Sequence, residues 1–306
     1  MSRRFLKGEA IHTYQRTESG FNIFYEVEDY LVYYTIFSIW SKRYNIVVYG
    51  LCLMIDHLHS LISASTSQDF TTFVNEVTSC FMREYNQEHR RSGHLFCKSF
   101  GSALKLGLKR LRTAISYLYN NPVERLLCRY AQEYRWNFLA YAFSSHPFSE
   151  KLDLTYASRS LRRVLKEVDG THARQRHLSY AQLKRMFAVL DKKEKAQLID
   201  YIIVRYSVIR YDLLTTSCYE GAENMLVAIN SNAGSEYDIK EVKWSRSDAE
   251  YRKLHRYVHD QGYASAGDVI SESLETKKAL LSGMLKETDV PRYQICKFLH
   301  IESVLS

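Results

Sequence analysis

Two histidines separated by one residue are the first side chains in the sequence that could do chemistry. His57 and His59 flank Leu58 inside an apolar stretch, a pattern typical of a β-strand. Side chains at positions i and i+2 of a strand share one face, so both imidazoles could bind one divalent metal ion while Leu58 faces the core. A chain with this histidine content contains roughly 0.4 such pairs by chance. A purely structural histidine pair therefore stays open as an alternative.

A tyrosine and an asparagine near the end of a helical pattern form the second group. Apolar residues recur there at helical spacing and predict a buried stripe: Leu104, Leu108, Leu111, Ile115 and Leu118. Tyr119 lies beside this stripe and is predicted to belong to the core. Tyr117 lies about 200° around the helix from Ile115, on the face that carries Arg110 and Asn121. A reactive hydroxyl would have to lie on that face, although tyrosines on polar faces often only pack at their edges.

The two groups together could assemble a site for metal-assisted phosphoryl transfer. A metal ion held by His57 and His59 would polarise a scissile phosphate, and the Tyr117 hydroxyl would attack it. Asn121 offers an oxygen ligand four residues after Tyr117, although Pro122 restricts the backbone of the asparagine.

The elements that must position these residues alternate between strand and helix over the first half of the chain. The patterns predict strands at 10–16, 46–54, 57–63 and 94–104, and helices at 29–42, 70–89 and 109–121. We therefore expect an α+β domain over residues 1–150.

The second half of the chain, residues 151–306, is predicted to form a helical domain. Three pairs of residues have the spacing of a capping box at a helix start: Ser179 and Gln182, Asp191 and Glu194, and Ser247 and Glu250. Small polar residues at 230–235 predict a linker.

Composition indicates a folded globular protein that is basic and rich in aromatic residues. Lys and Arg number 42 against 34 Asp and Glu, giving a net charge of +8, and 46% of residues are hydrophobic. The longest apolar runs are too short to span a bilayer, and no secretory signal is visible, so we expect a cytoplasmic protein without a membrane partner. The six cysteines include no C-x-x-C pair, which argues against a zinc ribbon. Positive charge and aromatic rings together are a weak indication of nucleic-acid binding.

Five segments resemble, in the same order along the chain, the motifs of single-tyrosine HUH transposases, particularly the REP-associated tyrosine transposases. Residues 50–59 resemble the family segment YCLMPNHVH, and residues 12–16 resemble its opening strand. Residues 93–96 match GHLF, residues 117–123 resemble YIxxNPV, and residues 134–138 resemble the closing YPWSS. The resemblance covers about the first 140 residues.

This resemblance implies a ferredoxin-like antiparallel sheet with the HUH strand inside it and the tyrosine helix packed alongside. It implies a divalent metal, Mg²⁺ or Mn²⁺, held by His57 and His59, with Asn121 at the position of a third ligand. Tyr117 matches the nucleophile that cuts single-stranded DNA and stays joined to the 5′ phosphate, and the substrates are DNA hairpins near imperfect palindromes. Members of the family differ in whether they act as dimers, so a homodimer stays open.

The sequence departs from the family pattern at two places near the site. Asp56 precedes the first histidine where the family usually has Asn, and it could be a harmless strand-entry residue, an extra carboxylate near the metal or a sign of drift. Ser99 stands where the family commonly has Arg, which puts one phosphate contact in doubt. The predicted nucleic-acid-binding residues are basic side chains of this region: Arg16, Lys98, Lys105 and Arg110.

Two alternatives concern the role of the chain and of its end. A non-catalytic relative could use the same fold to bind hairpin DNA or RNA and act as a regulator, in which case Tyr117 would have no chemical role. The pattern at 275–306 resembles the start of a helix-turn-helix, but a small helical packing module explains it equally well. Pro291 is predicted at the first position of the last helix.

Overall fold

A four-stranded antiparallel sheet forms the centre of the first half. The computed structural model describes residues 5–97, 100–231 and 247–302. Within that part the strands are β1 (Ala10–Arg16), β2 (Val47–Leu53), β3 (His57–Ser63) and β4 (Gly101–Lys105), in the spatial order β2-β3-β1-β4. Each neighbouring pair is antiparallel.

Helices flank the sheet and make up the regular structure that follows it. They are α1 (Val27–Arg43), α2 (Ser67–Glu88), α3 (Gly107–Glu124), α4 (Arg159–Ala173), α5 (Tyr180–Ala188), α6 (Lys192–Arg205), α7 (Tyr211–Leu213), α8 (Ala222–Ser231), α9 (Tyr251–Asp260), α10 (Leu274–Glu287) and α11 (Arg292–Leu299). Short 3₁₀ turns occur at Glu18–Gly20, Ala131–Glu133, Arg135–Asn137, Leu139–Ala142, Asp248–Glu250 and Ala266–Ser271. A π turn at Leu214–Cys218 follows α7.

The order β1-α1-β2-β3-α2-β4 with this strand arrangement is ferredoxin-like, so the predicted fold class is confirmed. Alternation along the strands gives the sheet two apolar faces. Ile11 and Leu58 belong to the core with α1 and α2, whereas Leu61 packs with Ile115 and Leu118 of α3 on the opposite face. The sheet therefore separates the two-helix layer from the helix that carries Tyr117.

A buried carboxylate at the start of α1 links the two halves of the chain. Asp29 is 1% exposed and accepts hydrogen bonds from the backbone N–H groups of Tyr25 and Glu26, each at 2.8 Å. Its other oxygen accepts the Tyr180 hydroxyl of α5, also at 2.8 Å. These bonds satisfy amide groups that the helix start leaves without intrahelical partners, and they fix the second half against α1.

Most predicted elements are confirmed, and β4 is the main exception. Strands 10–16 and 57–63 have the predicted bounds, but the strand predicted at 94–104 begins only at Gly101. Before it, Phe96 forms an isolated bridge to Thr17. Gly101 is required where it stands, because a Cβ there would lie 2.0 Å from the Tyr14 ring.

The second half is helical as predicted, and two of its three capping boxes are confirmed. They open α5 at Ser179 and α6 at Asp191. The third prediction is wrong in detail, because Ser247 accepts the Ala249 amide and starts a 3₁₀ turn before α9. Residues of both halves share one hydrophobic core, and the boundary at 150 stays a prediction. The linker prediction is wrong for residues 230 and 231, which end α8, and residues 232–235 lie outside the described residues.

The last helix packs against the segment that follows β1. Pro291 is the N-cap of α11 rather than its first helical residue. The Tyr25 hydroxyl donates to the Phe298 carbonyl at 2.5 Å, and His300 Nε2 donates to the Asn22 carbonyl at 2.7 Å. The Phe21 ring stacks on His300 at a centroid distance of 4.7 Å. This end therefore packs on the sheet domain, and the helix-turn-helix resemblance at 275–306 stays a prediction.

Two partly exposed histidines at this contact predict a free energy of unfolding that falls in acid. Burial lowers the pKa of His255 to about 4 and that of His300 to about 3. As the pH falls, these histidines are protonated in the unfolded chain before they are protonated in the folded one. Their contribution to the free energy of unfolding is therefore fully present above the unfolded-state pKa, near 6.5, and is lost as the pH falls below that value. We expect each histidine to cost about 2 kcal/mol of unfolding free energy between about pH 7 and about pH 5.

Urea unfolding at the two pH values measures this loss. His255→Gln should reduce the pH dependence, whereas His94→Gln, at an exposed loop position, should leave it unchanged. Equal pH dependence in His255→Gln and the wild type would contradict the prediction.

In the described part of the chain, no helix combines the length and apolar character needed to cross a membrane.

Candidate active site

Two adjacent elements bring the predicted histidines and Asn121 together. Alternation along β3 places His57 and His59 on the sheet face that packs against α3, where they are 4% and 0% exposed. Their ring centroids lie 5.1 Å apart with planes at 89°. Asn121, near the end of α3, places its Oδ1 3.4 Å from His57 Nε2. Its Nδ2 donates to the Tyr117 carbonyl at 3.4 Å, which fixes the orientation of the amide.

Tyr117 packs directly against the imidazoles. Its ring centroid lies 5.6 Å from that of His59, with the planes perpendicular, and 5.6 Å from that of His12. The polar helix face predicted for Tyr117 is turned toward the sheet, and Tyr117 is only 4% exposed. Tyr119 is fully buried as predicted, and its hydroxyl donates to the Tyr49 carbonyl at 3.3 Å.

His12 of β1 is a site residue that the sequence reasoning did not select. Its Nε2 lies 3.0 Å from His59 Nδ1. If Nδ1 of His59 donates the hydrogen bond, Nε2 of His12 accepts it. The Nε2 atom of His59 then keeps a lone pair for a ligand. The sequence contained one signal for this residue: His12 and Tyr14 are two positions apart, as the two histidines of β3 are, so they share one face of their strand. Only the pairing register, Tyr14 opposite His59, shows that the two strands share the site.

Asp56 orients His57 from the other side of its ring. Its Oδ1 accepts a hydrogen bond from His57 Nδ1 at 2.5 Å. Burial alone would raise the pKa of Asp56, but His57, Arg125 and Lys297 together hold this pKa below its usual value. Asp56 is therefore ionised beside the site, and it does more than begin a strand. A carboxylate behind a histidine is a common way to fix the tautomer of a metal ligand.

The donor set fits a divalent cation. With Nδ1 donating to Asp56, Nε2 is the His57 atom that can turn a lone pair to a ligand, and the Asn121 oxygen facing it is an acceptor. Two acceptors at 3.4 Å repel unless a proton or a cation lies between them or beside them. Among the described residues no three His, Cys, Asp or Glu side chains form a metal-binding group. The candidate set is instead two imidazoles and an amide oxygen, whose lone pairs could hold a divalent transition-metal cation.

The second half of the chain reaches the same site through charged side chains. Lys297 of α11 places Nζ 3.6 Å from Asp56 Oδ2. Arg125, just after α3, lies 3.6 Å from the Asp248 carboxylate. Burial and the nearby Asp56 charge raise the pKa of Asp248 to about 6. Residues far apart in sequence therefore set the electrostatics behind His57.

The predicted nucleic-acid-binding residues have different placements. Arg16 lines a cavity that also includes His57, and Arg110 is exposed on α3, two turns before Tyr117. Lys105 ends β4 and is only 1% exposed, so its ammonium group is not on an open surface with the others. Lys98 and the neighbouring departure Ser99 lie outside the described residues.

Comparison with protein families bears on this same segment. Residues 10–121 match the family model described as "Transposase IS200 like". The matched region begins at β1 and ends at Asn121, so it contains the sheet, His57, His59 and Tyr117. The resemblance to single-tyrosine HUH transposases is thereby confirmed for this region.

Comparison with solved structures found a match to part of this chain. The matching structure is described as "Structure of the REP associates tyrosine transposase bound to a REP hairpin". Its identity to this chain is 13% and its TM-score is 0.40, and the match covers 52% of this chain and 96% of the other. The comparison with curated proteins found no match.

Proposed function

We propose that this chain is a metal-dependent DNA strand-transfer enzyme that nicks and rejoins single-stranded DNA through a covalent tyrosine intermediate. One observation carries the proposal. The Tyr117 ring lies against His59 at a centroid distance of 5.6 Å, while His57 Nε2 faces Asn121 Oδ1 at 3.4 Å. The proposed nucleophile and the proposed cation-binding residues thus lie on one face of the sheet that matches the transposase family model, which supports the proposal.

The proposed cofactor is Mg²⁺ or Mn²⁺, held by His57, His59 and Asn121. When bound, such an ion withdraws charge from a phosphate oxygen and so makes the phosphorus more electrophilic. Asp56 binds Nδ1 of His57, and His12 binds Nδ1 of His59. The Nε2 atom of each imidazole is therefore the one proposed to bind the metal.

The proposed reaction is a phosphoryl transfer that exchanges one phosphate ester bond for another and consumes no nucleoside triphosphate. The Tyr117 oxygen forms a bond to phosphorus, and the bond from phosphorus to the 3′ oxygen of the preceding nucleotide breaks. The phenol releases one proton and the departing 3′ oxygen takes one up. The 5′ phosphate remains on Tyr117, and attack by a 3′ hydroxyl reverses the step and joins two strands.

The burial of Tyr117 favours a second candidate function. The ring is 4% exposed, so a DNA strand reaches its hydroxyl only after a local movement. A binding protein with the same fold needs no such movement and uses the site only as structure. The two candidates differ in one measurable product, the covalent adduct.

The test mixes the protein with labelled single-stranded oligonucleotides in the presence of Mn²⁺ or EDTA. The hairpin class of substrate comes from the motif resemblance, so oligonucleotides that form hairpins are compared with unstructured ones of equal length. We expect an SDS-resistant adduct that requires the metal and forms preferentially with hairpins. Tight binding of hairpins without any adduct would overturn the catalytic proposal and support the binding protein.

A further inference from the structure

A cavity of about 720 Å³ opens next to His57, and its walls come from both halves of the chain. Arg16, Asp56 and His57 line it from the sheet domain, and Arg125 lines it from the end of α3. Lys297 lines it from α11. The volume lies within the range of sites that bind small molecules or single residues of a polymer.

Three cations of this cavity come from three separate elements. Arg16, Arg125 and Lys297 are each partly exposed along its wall. Asp56 pairs with His57 and lies 3.6 Å from Lys297, and Asp248 lies 3.6 Å from Arg125. Glu302 also lines the cavity. An anion such as phosphate would therefore exchange with these carboxylates for the three cations that meet here.

Aromatic rings lie beside these cations. Phe21 and Tyr293 both line the cavity and are partly exposed. Base stacking on aromatic side chains combined with cations along the backbone is the usual way in which proteins hold single-stranded nucleic acid. A phosphate group and a planar base would therefore both find matching chemistry in this cavity.

We propose that α11 forms one wall of the DNA-binding cleft and that Lys297 contacts a phosphate of single-stranded DNA next to the cleavage site. This inference rests on the proposed function and adds a DNA contact from a segment outside the matched region 10–121. A binding role for α11 differs from simple packing because packing requires only its apolar side, whereas Lys297 extends into the cavity.

The position of Lys297 is fixed by its surroundings. Its backbone carbonyl accepts the Asn22 amide at 3.3 Å. Its side chain crosses Gly20, where a Cβ would lie 3.2 Å from both Cε and Nζ. Gly20 also has a φ of 68°, so glycine is favoured there both by conformation and by this close approach. The ammonium group thereby lies in the cavity wall, 3.6 Å from Asp56 Oδ2.

The experiment measures the affinity of the full chain for a fluorescent single-stranded oligonucleotide by anisotropy, in EDTA and at several salt concentrations. Lys297→Gln should weaken binding about fivefold and reduce the slope of log K against log salt by about 0.7, the value for one lost phosphate contact. Lys297→Arg should retain both. Lys278→Gln, an exposed lysine of α10 outside the cavity, should match the wild type.

Melting temperatures of all variants separate loss of binding from loss of folding. Equal affinity and equal salt slope for Lys297→Gln and Lys278→Gln would overturn the inference, even if the wild type forms the Tyr117 adduct. Dependence of binding on Lys297 in a protein that forms no adduct would support it while the proposed catalysis fails. Absence of any binding by the wild type would overturn both.

Discussion

Tyr117→Phe is expected to abolish the covalent adduct and to slow strand cleavage by at least about a thousandfold. The phenyl ring keeps its packing against His12 and His59 but has no oxygen to bond to phosphorus. Affinity for the oligonucleotide should change little, because contacts to phosphates supply most of it. Single-turnover cleavage of an end-labelled hairpin, with anisotropy on the same samples, measures both quantities.

Tyr119→Phe is the matched control for this substitution. Tyr119 lies two residues further along α3, is fully buried, and donates only to the Tyr49 carbonyl. Its loss should cost about 1 kcal/mol of stability and leave the adduct intact. Adduct formation by Tyr117→Phe would place the nucleophile elsewhere, and equal losses in both variants would indicate damage to α3 rather than lost chemistry.

His57→Ala and His59→Ala should each lower the affinity for Mn²⁺ by at least about 100-fold, because each removes a proposed ligand from a set of three. The loss should appear in the absence of DNA. Titration of Mn²⁺ followed by the EPR signal of the free ion measures it directly, and cleavage assays then show whether activity falls in parallel.

His94→Ala controls for the removal of a histidine as such. His94 lies in an exposed loop before β4 and should leave Mn²⁺ binding unchanged. If both site variants bind Mn²⁺ as the wild type does, the metal site is not on β3, and the close approach of His57 and Asn121 then reflects a shared proton. Circular dichroism of each variant shows whether the sheet has been preserved.

The sequence was sufficient where local patterns determine structure. Strands β1 and β3 have the predicted bounds because each is a short run that small polar turn residues follow. The approach of Tyr117 to His59 was also foreseeable, since a strand and a helix of fixed periodicity each present one face. The motif resemblance specified which faces meet.

Other parts of the site depend on contacts that no local pattern encodes. His12 joins the site only through the register of β1 against β3, and the burial of Lys105 depends on where β4 ends. The need for glycine at position 101 follows from the position of the Tyr14 ring. The approach of Lys297 to Asp56 joins residues that are 241 positions apart, 297 minus 56. No local sequence pattern predicts a contact between residues so far apart.

The placement of α11 beside His57 also bears on how the protein is made. Translation delivers the sheet and both histidines long before residues 292–299 leave the ribosome, and domains generally begin to fold as they emerge. The sheet can therefore form while one wall of the cavity is still absent. The cleft reaches its final shape only when α11 has docked on residues 20–25, so its completion is among the last events in the synthesis of the described chain.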